Sequence, residues 1–207
     1  ADPQQKLSLL SMLEDKDFYR ALGELARPAV AAFERGALAD FYNRMTRAVR
    51  GVGAAGIVFR ENSYFSNMGI PCDAPPILGP AGREPLQAYS PHGYDLVVDT
   101  EALALASDNR ADVIFEAHRA AQRALDAPVL VGEWGAFGHE PAVVGHARHL
   151  MDLFDGWQWS NTYWCYHERF DAVPALSVLR RAYPRAVAGE ILSMRTDEGG
   201  NFTLTWR

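Results

Sequence analysis

The hydrophobic positions of the chain change repeatedly between a helical period and a strand period. Residues 1–36 carry apolar positions at helical spacing and predict one or two short helices, with Pro28 breaking the pattern. A following amphipathic helix that ends at Gly51 is predicted by Leu38, Phe41, Tyr42, Met45 and Val49. Residues 56–62 are apolar first and polar at the end, which predicts a buried strand with a polar exit.

The alternation continues to the C-terminus. The further predicted elements are a strand at 86–94, a helix at 108–125 with Asp108 as N-cap, a strand at 129–137, a helix at 142–154, a strand in the aromatic run 157–167, a short helix at 175–182 and tail strands at 190–194 and 201–206. Four strands alternating with helices predict an α/β fold with a parallel sheet. A doubly wound sheet has the same order but normally carries a glycine-rich phosphate turn, which is absent, so an α/β barrel is favoured.

The strand at 129–137 ends in a carboxylate. Val129 and Val131 share a face with Glu133 by the two-residue period, so the acid is expected to point into the barrel or just past its rim. A buried glutamate of this kind is either a structural residue in an ion pair with an arginine or a functional carboxylate.

Aromatic and polar residues at the neighbouring strand ends favour a working acid. His92 and Tyr94 end the preceding strand and could donate hydrogen bonds, while Trp164 and Tyr166 are predicted on one face of the following strand. A carboxylate beside a phenol, an imidazole and a flat indole suits a sugar ring, which offers hydroxyl groups to polar partners and C–H faces to aromatic ones.

Composition excludes several classes of partner. The chain has 207 residues, a net charge of −6 and a pI near 5.5, so one globular domain and a neutral partner are expected, rather than nucleic acid or an anionic membrane. These residues contain no apolar run of membrane-spanning length and no signal-like leader.

Metal and nucleophilic-serine sites are not expected. No G-x-S-x-G motif occurs, and His146 with His149 lacks a third ligand and is predicted to face solvent. Cys72 and Cys165 lack metal spacing, and both a disulfide between them and two free thiols remain open. No cofactor is predicted.

Three short motifs, in order and spacing, carry a family resemblance. They are Tyr-Ser-Pro-His-Gly-Tyr-Asp at 89–95, Val-Gly-Glu-Trp-Gly at 131–135 and Tyr-Trp-Cys-Tyr at 163–166, followed by Tyr-Pro-Arg-Ala-Val-Ala-Gly at 183–189. Over residues 37–207 the chain resembles glycoside hydrolase family 5, and within it the endoglycoceramidases and related glycosylceramidases.

The resemblance implies a (β/α)8 TIM barrel, retaining hydrolysis and a carbohydrate or glycolipid substrate. Glu133 would match the nucleophile, His92 and Tyr94 the pair on the sixth strand, and Trp164 the floor of the subsite at the cleaved bond. The further residues expected to bind substrate are Tyr166, Tyr89, Glu61, Asn62 and Trp134. The loop at 63–84 could hold a lipid aglycone on Met68, Ile70, Ile77 and Leu78, or simply pack over the barrel end.

One departure from the family limits this interpretation. The family's acid/base lies in an Asn-Glu-Pro-type motif on the fourth strand, and no such pair occurs here. The chain would therefore supply strands 5–8, with a helical connection at 1–36, a half-barrel at 37–187 and the start of a C-terminal β-sandwich at 188–207. The missing half would come from the same protein, a second chain or another copy.

Two functional hypotheses follow. The chain is either the nucleophile-bearing half of a secreted or extracytoplasmic glycosidase, or a non-catalytic sugar- or lipid-binding remnant. Glu61 is the only strand-end carboxylate that could replace the acid. The alternatives for it are contact with substrate or an ion pair with Arg60 or another basic group.

Overall fold

The computed structural model describes residues 3–207, with side chains from residue 8 onward. The helices are α1 (Pro3–Met12), α2 (Lys16–Phe33), α3 (Ala39–Gly51), α4 (Asp108–Leu125), α5 (Val144–Trp157) and α6 (Leu176–Leu179). The strands are β1 (Val58–Arg60), β2 (Leu78–Gly79), β3 (Gly82–Arg83), β4 (Gln87–Tyr89), β5 (His92–Gly93), β6 (Leu130–Gly135), β7 (Ser160–Trp164), β8 (Ile191–Thr196) and β9 (Phe202–Trp206). The predicted order of the strands and major helices is confirmed.

The main strands are parallel and lie side by side in chain order. β1 pairs with β4, and β5, β6 and β7 pair in sequence. A parallel bridge between Tyr89 and Val129 joins the two groups. The predicted strand at 86–94 is therefore one strand, formed by β4 and β5 and interrupted at Ser90 and Pro91. The four main strands, β1, β4 with β5, β6 and β7, lie side by side in the order in which they occur in the chain.

The helices that connect these strands cover one face of the sheet. Tyr89, Val129, Val131 and Trp134 pack with residues of α4 and α5 in a single core that includes Phe115. Sequential parallel order with helices on one side is the arrangement of an α/β barrel, whereas a doubly wound sheet reverses its order and carries helices on both faces. The fold is thus a mixed helix and strand arrangement of the barrel type.

The opposite face of the sheet is uncovered by the described residues. Phe59 on β1 and Trp164 on β7 are each 48% exposed, and Ser160 and Thr162 are also exposed. Each of the outer strands, β1 and β7, has one edge without a paired strand among residues 3–207.

The N-terminal part contains the short helix α1 and one long helix. α2, a π-helical turn at Glu34–Leu38 and α3 are continuous from Lys16 to Gly51. The Asp15 side chain caps the start by accepting hydrogen bonds from two backbone N–H groups. The prediction that Pro28 breaks the helix is wrong, because packing of the buried Val30 and Ala31 outweighs the local cost of proline.

The π-helical turn places a buried carboxylate beneath the long loop. Glu34 is fully buried and accepts hydrogen bonds from the backbone N–H of Ser63 (3.0 Å), the hydroxyl of Ser66 (2.8 Å) and the backbone N–H of Asp73 (2.6 Å). These bonds satisfy donors of the segment between β1 and β2. Tyr19 adds another anchor by donating its hydroxyl to the carbonyl of Met68 at 2.8 Å.

Other predictions require correction. The residue at the N-cap of α4 is Ser107, because Asp108 already belongs to the helix. The prediction that His146 and His149 face solvent is wrong for His146, which is buried, whereas His149 is partly exposed. Each imidazole lies 2.6 Å from a carboxylate of α4, Asp108 and Asp112 respectively.

Both cysteines are free thiols, so the disulfide alternative is overturned. Cys72 is partly buried, and this burial raises its pKa to about 12, which makes it a poor nucleophile. Cys165 is exposed.

The C-terminal tail forms the predicted pair of strands. β8 and β9 are antiparallel, and β8 packs against α5. Among the described residues, no helix combines the length and hydrophobicity needed to cross a bilayer.

We expect Glu34→Gln to lower the free energy of unfolding by about 2 kcal/mol, because the amide replaces one acceptor with a donor that faces N–H and O–H groups. Urea denaturation followed by circular dichroism measures the change. Glu24→Gln, at an exposed site on the same helix, is the matched control and should change stability by less than about 0.5 kcal/mol. Equal effects of the two variants would contradict the anchoring role of Glu34.

Candidate active site

An irregularity in β6 sets the direction of Glu133. Val131 pairs with Asn161 and Trp134 with Tyr163, so Gly132 and Glu133 together face one residue of β7. This is a β-bulge, and it interrupts the two-residue alternation. The predicted common face of Val129, Val131 and Glu133 is therefore wrong: both valines face the helices, and the bulge lets Glu133 meet Tyr94 and His92 outside that core.

The bulge requires glycine and a hydroxyl. A Cβ on Gly132 would lie 2.8 Å from Ser90 Oγ and 2.9 Å from His92 Nε2, so only glycine leaves room for the imidazole. The Thr162 hydroxyl donates to the Gly132 carbonyl at 2.5 Å and satisfies an acceptor freed by the broken ladder.

A phenol hydroxyl and an imidazole face the same oxygen of Glu133. The Tyr94 hydroxyl donates to Oε2 at 2.8 Å, and His92 Nδ1 lies 3.4 Å from Oε2. Oε1 has no hydrogen-bond partner among residues 3–207, and the side chain is 31% exposed. Neither lysine nor arginine pairs with Glu133 in the described part of the chain, which disfavours the structural ion-pair interpretation.

The Tyr94 hydroxyl stays protonated, and so remains a hydrogen-bond donor, near neutral pH. Burial, and then its hydrogen bond to Glu133, raise the pKa of the Tyr94 phenol well above its ordinary value. A phenol that stays protonated keeps its O–H available to Glu133 and fixes the position of Oε2.

His92 also reaches a second carboxylate. Its Nδ1 lies 3.4 Å from Glu61 Oε1, the same distance as from Glu133 Oε2. Asn67 Nδ2 donates to that Glu61 oxygen at 2.9 Å. The alternative of an ion pair between Glu61 and Arg60 is not observed, since the Arg60 guanidinium donates to the carbonyl of Pro75.

The backbone of His92 is held on both sides. Its N–H donates to Asn67 Oδ1 at 3.1 Å, and its carbonyl lies 2.9 Å from His118 Nε2. His118 Nδ1 lies 2.9 Å from the Tyr89 hydroxyl. Burial lowers the pKa of His118 to about 4, so the ring is neutral near pH 7, with Nε2–H donating to His92 and Nδ1 accepting from Tyr89.

The aromatic residues of the last parallel strand separate into two environments. Trp164 ends β7 with its side chain half exposed, and a cis peptide bond joins it to Cys165. Tyr166 lies beyond the strand and is 82% exposed, with its ring 5.8 Å from that of Phe170. The prediction that Trp164 and Tyr166 share one strand face is therefore wrong.

Three residues predicted to bind substrate are buried in the protein. Tyr89 is fully buried and bonded to His118, and Trp134 is fully buried with its indole N–H donated to Asn161 Oδ1 at 2.9 Å. Asn62 is 5% exposed and donates to the carbonyl of Ser63. In the described residues these side chains therefore present little or no surface to a substrate.

Two site residues were not predicted. Asn67 stands in a long loop without periodicity, so its contact with Glu61 and His92 left no pattern in the sequence. His118 did leave a signal, because it falls on the buried stripe of α4 between Ile114 and Leu125, where a titratable residue is unusual. Within residues 3–207, no cluster of three or more His, Cys, Asp or Glu residues has the geometry of a metal site.

An apolar groove is lined in part by residues next to Asn67 in the chain. It encloses about 300 Å³ and is lined by Leu13, Tyr19, Leu22, Gly23, Leu25, Ala26, Phe65, Met68, Ile70 and Leu96. Phe65 and Met68 flank the turn that carries Asn67, which connects the groove to Glu61 and His92. Of the four loop residues predicted for a lipid aglycone, Met68 and Ile70 line the groove, whereas Ile77 is buried and Leu78 lies in β2, away from it.

Solved structures with a similar fold are glycosidases. Endo-glycoceramidase II from Rhodococcus sp. is 28% identical, with a TM-score of 0.67, over 80% of this chain and 40% of that chain. The structure of its lactosyl-enzyme intermediate is 24% identical to this chain, with a TM-score of 0.67, over 90% of this chain and 48% of that chain. An endogalactoceramidase is 24% identical, with a TM-score of 0.50, over 80% and 35%.

The chain thus spans less than half the length of these proteins. No protein-family model and no curated protein sequence matches it. The likeness shows that the chain has the fold of part of a glycosidase barrel enzyme.

His118 should make the stability of the protein depend on pH. Between about pH 6.5 and pH 4 the unfolded chain binds a proton at this position and the folded protein does not. The free energy of unfolding should therefore fall by about 3 kcal/mol across this window through His118 alone. Urea denaturation at pH 7 and pH 4.5 should show a smaller loss for His118→Gln than for the wild type.

The exposed His139 offers the matched control, and His139→Gln should keep the wild-type pH dependence. If the free energy of unfolding changed with pH by the same amount in the wild type and in His118→Gln, His118 would not be held neutral in the folded protein.

Proposed function

We propose that this chain is the nucleophile-bearing half of a retaining glycoside hydrolase that acts on a β-glycoside or glycolipid. The observation that carries the proposal is the environment of Glu133. One oxygen is held by Tyr94 and faces His92, the other is free, and no cation neutralises the carboxylate among the described residues. An ionised carboxylate with one fixed and one free oxygen suits attack on a sugar.

The proposed chemistry follows from this geometry. Glu133 Oε1 attacks the anomeric carbon, and the bond to the leaving oxygen breaks with its electron pair, so that a glycosyl ester forms. Tyr94 and His92 hold Oε2 in line. Trp164 offers an indole face beside the strand of Glu133, where a sugar ring can stack.

The acid/base would lie on sequence that these residues do not contain. We assign the four parallel strands to positions 5–8 of a (β/α)8 barrel, so that an upstream half would cover the open face and pair with β1 and β7. The exposed Phe59 and the free strand edges support this assignment.

The substrate class is proposed from the apolar groove together with the neighbours. A solved neighbour is endo-glycoceramidase II from Rhodococcus sp. in complex with ganglioside GM3, at 23% identity. In this chain the groove could hold the lipid part, while Glu133 and Trp164 face the sugar.

A non-catalytic sugar- or lipid-binding domain is the second candidate. The observation that favours it is the lack of an Asn-Glu pair in the sequence. Such a domain would keep the cleft and groove but would not form an ester at Glu133.

A 2,4-dinitrophenyl 2-deoxy-2-fluoro-β-glycoside separates the two candidates, because its leaving group departs without protonation. We expect a covalent label on Glu133, found by peptide mass spectrometry, in the chain alone or combined with an upstream barrel half. Glu133→Gln should remove the label and abolish turnover of a completed enzyme.

Glu101→Gln, at an exposed carboxylate, is the control and should be labelled like the wild type. Absence of a label under both conditions would favour the binding domain, and surviving turnover in Glu133→Gln would disprove the nucleophile assignment.

The groove can be tested by binding alone. Leu22→Glu places a charge in the apolar groove and should weaken binding of a fluorescent glycosylceramide to the Glu133→Gln protein by about tenfold, because a leucine contact is lost. Binding of the free oligosaccharide should not change. Leu9→Glu, at an exposed leucine outside the groove, should bind both ligands normally. Equal loss for both ligands would exclude the groove as the lipid site.

A further inference from the structure

One imidazole nitrogen stands between two carboxylates. His92 Nδ1 is 3.4 Å from Glu61 Oε1 and 3.4 Å from Glu133 Oε2. A single N–H can be well aligned with only one of these oxygens at a time. The two carboxylates therefore compete for it.

We propose that Glu61 is a positioning residue that draws the His92 N–H away from Glu133 and so keeps Glu133 reactive. The inference rests on the proposed function and adds a role that the nucleophile and its tyrosine do not supply. Glu61 acts only through His92 and does not replace the missing acid.

The contacts of Glu61 suit this role. Asn67 donates to the oxygen that faces His92 and also accepts the His92 backbone N–H, so one amide fixes both partners of the contact. The backbone N–H of Glu61 donates to the Tyr42 hydroxyl at 2.8 Å. Neither lysine nor arginine pairs with Glu61 among the described residues, so its charge is directed at His92.

The competition changes during the reaction. While Glu133 is an anion, both carboxylates attract the N–H. When Oε1 bonds to the anomeric carbon and the leaving oxygen departs with the electron pair, Glu133 becomes an uncharged ester and Glu61 is the only charged acceptor left. The N–H then moves to Glu61, and it is shared again when water or azide cleaves the ester and Glu133 regains its charge.

Removing the charge of Glu61 should therefore affect the two half-reactions unequally. In Glu61→Gln the N–H belongs to Glu133, which stabilises the free carboxylate and makes it a weaker nucleophile. Ester formation should slow about tenfold, as expected for the strengthening of one charged hydrogen bond. Ester cleavage should not slow in this way and should change by less than about threefold, because the same hydrogen bond from His92 stabilises the carboxylate that departs from the sugar.

The rates are measured with the dinitrophenyl fluoroglycoside in the form of the protein that is labelled at Glu133. Inactivation reports ester formation, and reactivation by azide reports ester cleavage without a general base. An equal fall in both rates would indicate a merely structural role, and no change in either would also overturn the proposal. Glu61→Asp should partly restore the inactivation rate, and Glu101→Gln should keep both rates.

A second measurement does not depend on activity. In a crystal structure of Glu133→Gln, whose side chain is uncharged like the ester, His92 Nδ1 should move to within about 3.0 Å of Glu61 Oε1. If Nδ1 remains midway between the side chains at positions 61 and 133, or donates to the side chain at position 133, the proposal is wrong even where labelling succeeds. If the wild type takes no label but this shift occurs, the proposed function fails and the preference of His92 for Glu61 stands.

Discussion

The direction of one carboxylate depends on a single extra residue in β6. If the strand alternated regularly, Glu133 would share the helix-packed face of Val131, where an unpaired charge costs several kcal/mol. The bulge turns it toward Tyr94 and His92 instead. Gly132 makes this possible because any Cβ there would collide with the imidazole that Glu133 faces. The hydrogen bonds of Glu133 thus depend on the bulge in β6, and the bulge depends on glycine at position 132.

The two faces of the sheet differ in the described residues. One face of the sheet is packed by α4 and α5 and holds the core, while the other exposes Phe59 and Trp164. The polar groups gather at the carboxyl ends of the strands, on the side where barrel enzymes bind substrates. Because the core lies on the helix-covered face, Glu133 is positioned by contacts that the described residues make among themselves.

Periodic features were predictable from the sequence, and aperiodic ones were not. The order of strands and helices and the meeting of Glu133, His92 and Tyr94 followed from apolar runs and strand ends. The bulge broke the rule used to orient Glu133, and burial removed Tyr89, Trp134 and Asn62 from the expected substrate contacts. Pro28 misled because tertiary packing outweighs local propensity. Asn67 lies in an irregular loop, where contacts are set by the anchors of the loop and not by any repeat.

The continuous helix from Lys16 to Gly51 is roughly 50 Å long at 1.5 Å per residue, and the loop above it is fastened at both Glu34 and Tyr19. These hydrogen bonds fall on both sides of Asn67, at Ser66 and at Met68. The position of Asn67, and with it the contacts that Asn67 makes with Glu61 and His92, therefore depends on residues of the long helix.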